Sequence, residues 1–344
     1  MRVPAGLLLS EIVERRELDH ALLMRLADRI AAFHASAERA PGGGAAAIEA
    51  ELPQQRLEWS RHARHLDSRT ANGRFRHGHG ALTLDHIIVG EAGPELGAAT
   101  GTGIDILFDL AALLEDLRCR GLVAAANVIA NRYVDLLPQG AQGWSLLPLF
   151  VSIHGHDDAV LADSPPRLLA LGGLSGTGKS TLARSLGGLM GRAPGARILR
   201  SDVFRKRLMG LPPEARLPAS HYTQANDADT WEALFESADD HLSCGTSVII
   251  DAVFMRRSER DIAEMLADRW RVPFTGIWLE APERDRIARV NARSGDASDA
   301  GADVVREQSR RSIGELYGWH RMKVNRPQET VVAAARAVID RPRR

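Results

Sequence analysis

The sequence predicts an α/β protein in which a mostly helical first domain precedes a five-stranded parallel sheet with helices on both faces. Three observations lead to this prediction. Apolar residues up to about Ala162 recur mainly at helical spacing. The stretch DSPPRLLALGG then introduces two prolines, and from Leu168 onward short apolar strands alternate with helical segments, which is typical of βαβ units. We therefore divide the chain into domains at 1–163 and 164–344.

The first domain is predicted to be a series of helices with few strands. Residues 7–39 carry apolar positions at helical spacing, so one or two amphipathic helices are expected there. The glycine-rich stretch 40–47 predicts a loop, and a further helix is expected over 48–69. LTLDHIIVG indicates a turn and a short strand. Residues 103–121 begin as a strand and continue as a helix, and helical segments follow.

The second domain contains five apolar runs short enough to be strands. They lie at Leu168–Leu171, Arg197–Arg200, Ser247–Asp251, Thr275–Leu279 and Met322–Val324. Because helical segments separate them, the sheet is expected to be mainly parallel.

The overall composition excludes several classes of protein. Basic and acidic residues both total 44, so the chain lacks the basic character of a general nucleic-acid binder, and nucleic acid is disfavoured as a partner without being ruled out. Two distant cysteines exclude a disulfide framework and suit a reducing cytosol. No window approaches the ~20 apolar residues of a membrane span, and the N-terminus has no signal-peptide pattern. We expect a cytoplasmic protein with no membrane partner.

The stretch GGLSGTGKSTLARSL carries the strongest motif in the chain. It fits G-x-x-x-x-G-K-S/T between an apolar strand and a helix, which is the pattern of a phosphate-binding loop, or P-loop. Backbone N–H groups of such a loop surround phosphate oxygens at the positive end of the helix dipole. Lys179 is predicted to reach the β- and γ-phosphates of ATP, and the Ser180 hydroxyl to hold Mg²⁺. The predicted nucleotide contacts are Gly173, Ser175, Gly176, Thr177, Gly178, Lys179, Ser180 and Thr181.

Two acidic residues follow predicted strands of the second domain. Asp202 comes directly after the strand Arg197–Arg200, at the edge where open α/β sheets bind ligands. A carboxylate there can accept the proton of an acceptor hydroxyl as it attacks the γ-phosphate. The alternative is a helix N-cap formed by Ser201 or Asp202. Asp251 ends the strand SVIID, the position of an acid that holds Mg²⁺.

Several arginines follow these acids in the sequence. Arg205 is expected on the same side of the helix as Asp202, where it could bind a polar or anionic acceptor. Arg256 comes shortly after Asp251, with a solvated helix start as the alternative role. Arg289 and Arg293 share a helical face and precede SGDASDAG, a composition that suits a lid closing over the nucleotide. An exposed charged helix followed by a loop is the alternative.

Four stretches of the second domain, in order, resemble P-loop kinase domains of the AAA_33 type, which are related to zeta-toxin, chloramphenicol-phosphotransferase and gluconate-kinase types. They are GGLSGTGKSTLA, RSDVFRKRLMG, IIDAVFMRRSER and LEAPERDRIARVNARSGDASDA. The resemblance covers about 167–340 and implies a P-loop kinase-like sheet and phosphoryl transfer. It implies Lys179 and Ser180 on nucleotide and metal, Asp202 as base, Asp251 on metal, and Arg289 and Arg293 in the lid. HYTQAND would fold over the acceptor, which makes Tyr222 a candidate contact, with a buried aromatic as the alternative.

The first domain resembles, through two shorter motifs, the C-lobe of aminoglycoside-phosphotransferase-like kinases. RHGHGALTLDHIIVG follows their loop H-G-D-x-x-x-x-N, and GIDILFDLAALLEDL follows their metal-binding segment, with Asp105 at the metal position. Ala81 stands where the base is needed, and His86 replaces the asparagine. The chain is also expected to begin near the hinge of such kinases. The resemblance therefore implies a mostly helical, kinase C-lobe-like domain that lacks both a base and a nucleotide cradle.

Two alternatives could give this domain its own chemistry. One alternative is that Asp85 substitutes for the missing base, although it lies four residues from the required position. His77, His79 and His86 could form a metal site, against the preferred interpretation that hydrogen bonds satisfy them. Both domains in this order resemble bacterial proteins described as bifunctional aminoglycoside phosphotransferase/ATP-binding proteins.

The sequence predicts an ATP- and Mg²⁺-dependent kinase that phosphorylates a hydroxyl of a small molecule in the second domain. No N-K-x-D motif indicates a GTPase, and the chain after the P-loop is too short for most motors. Three alternatives stay open: a polynucleotide or nucleotide 5′-hydroxyl kinase, a non-catalytic ATP-gated binding module, and aminoglycoside-type phosphotransfer by the first domain.

Overall fold

The computed structural model of the protein describes residues 6–292 and 297–341. Its chain divides into two units. The first unit ends at Ser164 and also takes in Arg192–Gly195, and the second comprises Pro165–Gly191 and continues from Ala196. None of the helices in these described ranges is long and apolar enough to cross a membrane.

The first unit is mostly helical. In chain order its elements are β1 Leu7–Leu8, α1 Leu9–Glu14, α2 His20–Ser36, α3 Pro53–Ala71, β2 Phe75–His77, β3 Ile87–Gly90, β4 Gly93–Leu96, β5 Gly103–Asp105, α4 Ile106–Cys119, α5 Val123–Leu136 and α6 Gly140–Gly155, with 3₁₀ turns at Ala45–Ala47, Leu84–His86 and Asp158–Leu161. Its core is formed largely by the apolar faces of α2, α4, α5 and α6, and Tyr133 and Phe150 are among its largest fully buried side chains.

Short antiparallel strands accompany these helices. β3 pairs with both β1 and β4, and β2 pairs with β5. The strand predicted in LTLDHIIVG is β3, and the change from strand to helix predicted over 103–121 corresponds to β5 and α4. Sequence analysis did not predict β1, β2 or β4. These strands have two to four residues, and β4 contains glycine and proline, so none of them has an alternating apolar pattern.

The second unit is built on a five-stranded parallel sheet. Its elements are β6 Leu168–Gly172, α7 Lys179–Gly187, β7 Arg197–Arg200, α8 Ser201–Leu208, α9 Gln224–Ser243, β8 Val248–Asp251, α10 Arg257–Trp270, β9 Phe274–Glu280, α11 Glu283–Asn291, α12 Ala302–Ser309, β10 Trp319–Lys323 and α13 Gln328–Ile339, with a 3₁₀ turn at Ala219–His221. The strand order is β10-β9-β6-β8-β7, and every neighbouring pair is parallel. The predicted α/β fold class is confirmed.

Alternate residues of the strands supply two separate cores. On one face Leu169 and Leu171 of β6 belong to a cluster that includes side chains of α7 and α13. On the other face Leu168 and Ala170 belong to a cluster with side chains of α9 and α10. Because both faces are covered by helices, the ligand-accessible edge of this sheet is the one at the carboxyl ends of its strands.

Candidate functional site

The P-loop, residues 173–180, joins the central strand β6 to α7. All five residues of β6 are buried, so the strand holds the start of the loop in a fixed position. Gly176 has a φ of 82°, and a Cβ added there would lie 2.6 Å from the backbone oxygen of Arg286. Gly178 has a φ of 93° and is the N-cap of α7. Only glycine suits these two positions without strain, so the loop can bring its backbone N–H groups together at the start of a helix.

The side chains of the P-loop are ordered by bonds within the loop. Lys179 Nζ donates to the backbone oxygen of Gly173 at 2.7 Å and lies 3.4 Å from that of Leu174. Thr177 Oγ1 donates to the Leu174 oxygen at 2.8 Å. The ammonium group therefore already lies over the loop, where it can reach a phosphate oxygen by exchanging weak neutral acceptors for charged ones.

Ser180 and Asp251, the two residues predicted to hold the metal, are brought into direct contact. Ser180 Oγ donates to Asp251 Oδ2 at 2.6 Å. Asp251 is the last residue of β8, opposite Leu171 of β6 in the sheet register, and is buried. A hydroxyl oxygen and a carboxylate oxygen beside a P-loop are the hard oxygen ligands that Mg²⁺ prefers, so the donor set fits this ion.

Arg200 also contacts this pair, and sequence analysis did not single it out. Its Nη2 donates to Ser180 Oγ at 3.1 Å, and its Nε lies 3.3 Å from Asp251 Oδ2. Arg200 ends β7 and is the N-cap of α8. Its place at the carboxyl end of a parallel strand was the available signal, because side chains at that edge face the ligand site.

Asp202, the predicted base, lies in the first turn of α8 and is half-buried. The N-cap of α8 is Arg200, so neither Ser201 nor Asp202 takes the N-cap role that was the alternative. A carboxylate in the first turn interacts favourably with the positive end of the helix dipole.

The candidate acceptor residues differ in their surroundings. Arg205 forms an ion pair with Asp227 at 2.7 Å, and its guanidinium lies over the Tyr222 ring at 5.2 Å. Arg256 is exposed and lies within 4.0 Å of Glu259 on its own helix, and none of its described contacts reaches the P-loop. The structure thus brings Arg205 and Tyr222 together and leaves Arg256 at a solvated helix start.

Asp299 connects Tyr222 to two other parts of the second unit. Its carboxylate accepts from Tyr222 Oη at 2.8 Å, from the Leu217 backbone N–H at 3.2 Å and from Lys206 Nζ at 3.2 Å. Lys206 is fully buried, so the charge of Asp299 compensates it inside the protein. Burial and the bond to Asp299 raise the pKa of the Tyr222 phenol, so it stays a donor. Sequence analysis missed this cluster because its members lie far apart in the chain.

The two arginines predicted for the lid, Arg289 and Arg293, have different outcomes. Arg289 Nη2 donates to the Val324 oxygen at 3.0 Å, and its Nη1 lies 3.4 Å from the backbone oxygens of Gly176 and Thr177. Arg286, on the same helix, is buried and donates to Ser309 Oγ at 2.6 Å. Arg293 lies outside the described residues. In this structure Arg289 therefore braces the P-loop backbone from α11.

Gln308 of α12 contacts the P-loop directly. Its side-chain oxygen accepts from the Ser175 backbone N–H at 2.8 Å, so one donor of the predicted phosphate cradle is bound by a protein side chain. No local pattern could have indicated this contact, because the two residues are 133 positions apart. The remaining predicted contact, Thr181, is exposed in the first turn of α7.

In the first unit, the carboxylate at the predicted metal position is fully engaged. Asp105 forms two bonds of 2.7 Å with Arg69 Nε and Nη2 and accepts from the Leu107 N–H at 2.8 Å. Asp109, one helical turn later, accepts from the backbone N–H groups of His79 and Gly80 at 2.6 and 3.0 Å. These bonds fix the loop around Ala81 through backbone contacts.

The histidines of that loop have local partners. His77 Nδ1 bonds to the Gly101 oxygen at 2.8 Å, and His86 Nδ1 bonds to Thr83 Oγ1 at 2.8 Å. Burial lowers the pKa of His79, whose imidazole is therefore neutral. Over the described part of the chain, no group of three or more His, Cys, Asp or Glu side chains is placed to hold a metal ion.

Comparison with known proteins relates the second unit to one family. Residues 168–313 match the AAA_33 family model, described as an AAA domain. Uncharacterized proteins of Mycobacterium tuberculosis (strain ATCC 25618 / H37Rv) and Mycobacterium bovis (strain ATCC BAA-935 / AF2122/97) are 31% identical to the chain over 175 residues, which is 49% of this chain and 34% of each relative. The match thus spans about a third of the length of these curated relatives.

Solved structures with a similar fold include several kinases. A gluconokinase from Sinorhizobium meliloti 1021 has a TM-score of 0.37 and 18% identity, with 52% of this chain and 93% of that chain covered. A sugar kinase from Janibacter sp. HTCC2649 has a TM-score of 0.40 and 20% identity, with coverage of 51% and 95%. The APS kinase of Mycobacterium tuberculosis in complex with AMPPNP and APS has a TM-score of 0.33 and 19% identity, with 52% of this chain and 98% of that chain covered. Likenesses at this level do not identify a substrate for this chain.

Proposed function

We propose that the protein is an ATP- and Mg²⁺-dependent kinase that transfers the γ-phosphoryl group to a hydroxyl of a small-molecule acceptor in its second unit. One observation carries the proposal: the Ser180 hydroxyl at the start of α7 and the Asp251 carboxylate at the end of β8 meet at 2.6 Å beside the P-loop. Burying a carboxylate costs free energy, and a loop that served only as a tight turn would gain nothing from a carboxylate buried against its hydroxyl.

In the proposed reaction the P-loop residues bind and orient the triphosphate. Lys179 Nζ would exchange the Gly173 carbonyl for β- and γ-phosphate oxygens, while the N–H groups at the start of α7 donate to the same phosphates. Ser180 and Asp251 would hold Mg²⁺, which neutralises charge on the β- and γ-phosphates when bound. Arg289 would keep the P-loop backbone in place from α11.

Asp202 would accept the proton of the acceptor hydroxyl. The acceptor oxygen then forms a bond to the γ-phosphorus, and the bond from that phosphorus to the bridging oxygen breaks, which releases ADP. Arg205 and Tyr222 would contact the acceptor beside Asp202, and an arginine of the lid, Arg293 in particular, would approach the transferring group. Arg256 is assigned no part in this scheme.

We also propose that the first unit has no chemistry of its own and serves as a degenerate aminoglycoside-phosphotransferase-like C-lobe. Two features support this proposal. Ala81 offers no side-chain group that could accept a proton, and both carboxylate oxygens of Asp105 are bound by Arg69.

The test measures ADP release from γ-labelled MgATP across a panel of sugars, polyols, nucleosides and aminoglycosides. We expect one hydroxyl compound to stimulate ADP release and to carry the label. Lys179→Ala should lower kcat/KM by on the order of 10³ or more, because the cation that holds the transferring phosphate is lost. Asp202→Asn should bind ATP normally and lower kcat by about 10².

Other outcomes of the same experiment would support other functions. Tight ATP binding without ADP release or transfer across the panel would indicate a nucleotide-gated binding module. Label on an oligonucleotide 5′-hydroxyl would indicate a polynucleotide kinase. Phosphorylation of an aminoglycoside that survives Lys179→Ala would locate the chemistry in the first unit and contradict the proposal.

A further inference from the structure

Arg200 occupies a position that the sheet register determines. It is the last residue of β7 and the direct neighbour of Asp251 across the parallel pair β7–β8. Because both residues end their strands, both side chains emerge at the carboxyl edge of the sheet, next to the P-loop. The sheet register, and not a flexible loop, therefore places the side chain of Arg200 next to the predicted metal ligands.

The guanidinium of Arg200 spans the two oxygens assigned to Mg²⁺. Nη2 donates to Ser180 Oγ at 3.1 Å, Nε lies 3.3 Å from Asp251 Oδ2, and Ser180 Oγ donates to that same Oδ2 at 2.6 Å. The side chain of Arg200 is 16% exposed and that of Asp251 is 5% exposed. A fixed positive charge therefore stands in a largely desolvated place beside both candidate metal ligands.

Electrostatic repulsion prevents Mg²⁺ and the Arg200 guanidinium from occupying this place together. A buried carboxylate needs a counter-charge, and an arginine, which stays protonated, always supplies one. Mg²⁺ bound to the same hydroxyl and carboxylate would stand next to the guanidinium, and two cations in so desolvated a place repel each other. Mg²⁺ and Arg200 therefore compete for Ser180 and Asp251. A displaced guanidinium has a natural new partner, because it binds phosphate oxygens in a bidentate manner.

We propose that Arg200 is the resident counter-cation of the metal site, which Mg²⁺ replaces when it arrives with the nucleotide, and that the released guanidinium then contacts the nucleotide phosphates. The first half concerns only residues of this chain. The second half rests on the proposed kinase function. Until nucleotide arrives, Arg200 keeps Asp251 compensated and bars adventitious divalent cations from the site.

The first experiment measures Mn²⁺ binding to the nucleotide-free, full-length protein by electron paramagnetic resonance. Mn²⁺ takes the same oxygen ligands as Mg²⁺ and gives a signal of its own. We expect Arg200→Gln to bind one Mn²⁺ at least tenfold more tightly than the unmodified protein, and the added change Asp251→Asn to abolish that gain. Arg257→Gln, which removes an exposed arginine at the start of α10, should change nothing.

A second variant decides the matter if Arg200→Gln does not fold. Arg200→Lys keeps the charge but cannot reach both oxygens with a planar fork. Its Mn²⁺ affinity should exceed that of the unmodified protein, by less than the tenfold expected of Arg200→Gln. If neither variant binds Mn²⁺ more tightly than the unmodified protein, or if the gain persists after Asp251→Asn, Arg200 is not the counter-cation of this site.

Turnover tests the second half separately. With saturating MgATP and acceptor, Arg200→Gln should lower kcat by on the order of 10² with a smaller change in KM for ATP, since the guanidinium acts on the transferring group. An unchanged kcat would overturn the phosphate contact. If the unmodified protein phosphorylates no acceptor, the proposed function fails, whereas the Mn²⁺ titration still decides the role of Arg200.

Discussion

Asp105 of the first unit and Asp251 of the second occupy comparable places and are held very differently. Each is the last residue of a short strand, each is buried, and each faces an arginine. Asp105 uses both oxygens on Arg69 at 2.7 Å and also accepts from the N–H of Leu107. The described polar contacts of Asp251 fall on Oδ2 alone, with Arg200 Nε at 3.3 Å.

This difference separates a structural carboxylate from an exchangeable one. A bidentate, buried pair that also caps a helix leaves no oxygen for a metal ion, and its removal costs stability. A carboxylate held through one oxygen by a hydroxyl and a longer ionic contact can exchange these partners for a metal ion that arrives with the nucleotide. We infer that sequence position at a strand end is a poor guide to metal binding, and that the occupancy of the carboxylate oxygens is a better one.

Replacing each of the two aspartates separately by asparagine is the strongest test of this difference. Asp251→Asn should lower kcat by on the order of 10²–10³, because the ligand that holds the metal loses its charge. Asp105→Asn should leave kcat and KM of the folded protein within about twofold. Steady-state ADP release by the two purified variants gives the answer.

The loss in the free energy of unfolding should be larger for Asp105→Asn than for Asp251→Asn. Asp105→Asn leaves Arg69 buried without its counter-charge and should cost about 3–5 kcal/mol in the free energy of unfolding. Asp251→Asn should cost less, because Asp251 is held through one oxygen only, by the Ser180 hydroxyl and a longer contact to Arg200. Urea unfolding of both variants measures these costs. If Asp105→Asn, still folded, abolishes turnover while Asp251→Asn does not, the active unit has been assigned to the wrong half of the chain.

Gln308→Glu sharpens the comparison within the second unit, with an intermediate effect. The change keeps the shape of the side chain and places a negative charge on the Ser175 N–H, a donor of the predicted phosphate cradle. Repulsion of the triphosphate should raise the Kd for ATP by about tenfold, as about 1.4 kcal/mol of lost affinity requires. Isothermal titration with ATP measures the change.

Glu307→Gln is the matched control for this substitution. Glu307 is exposed on the same helix and pairs with Arg311. Its change alters the charge of α12 by one unit in the opposite direction, away from the P-loop, and should shift the Kd for ATP by less than twofold. If the two variants change the Kd for ATP by equal factors in opposite directions, Gln308 acts only through the general charge of α12.

The last predicted effect appears only in acidic solution and concerns a buried histidine near an arginine. His241 of α9 lies near Arg197, and burial lowers the pKa of its imidazole to about 3. The folded state thus binds fewer protons than the unfolded state below about pH 6.5, so stability is full above that pH and falls as the solution becomes more acidic.

Between pH 7 and pH 5 this loss should be at most about 2 kcal/mol in the second unit. Hydrogen exchange of the α9 amides, corrected for intrinsic rates, measures it. His241→Gln, which cannot take up a proton, should remove this part of the pH dependence. A slope that is unchanged in His241→Gln would assign the acid sensitivity to other groups.

The sequence predicted the sheet of the second unit well because its signals are local. β6, β8 and β9 are largely apolar runs, and the P-loop motif sets the phosphate site between one strand and one helix. β10, WHRMK, has no such run, and its predicted range Met322–Val324 overlaps the observed Trp319–Lys323 only at its end. The pairing of Ser180 with Asp251 follows from the rule that carboxyl ends of parallel strands share an edge, although the two residues are 71 positions apart.

The contacts that the sequence could not reveal depend on long-range packing. The 44 basic residues are nearly all arginine, so composition does not distinguish Arg200, beside the metal ligands, from Arg256, which is solvated. Only the position of Arg200 at the end of a predicted strand could have done so. The bond of Gln308 to the P-loop likewise depends on how α12 packs, which no local pattern encodes. The short antiparallel strands of the first unit were missed for a related reason, since their partners rather than their composition define them.

The carboxylate of Asp299 has a consequence for how the second unit could open. It ties together the buried ammonium of α8, the loop that contains Leu217, and the phenol of Tyr222 ahead of α9. Loss of any one of these three contacts to Asp299 weakens the cluster that holds the other two segments. Because the three contacts share one carboxylate, we expect the segment around Asp299, the loop that contains Leu217 and the segment around Tyr222 to separate together and not one by one.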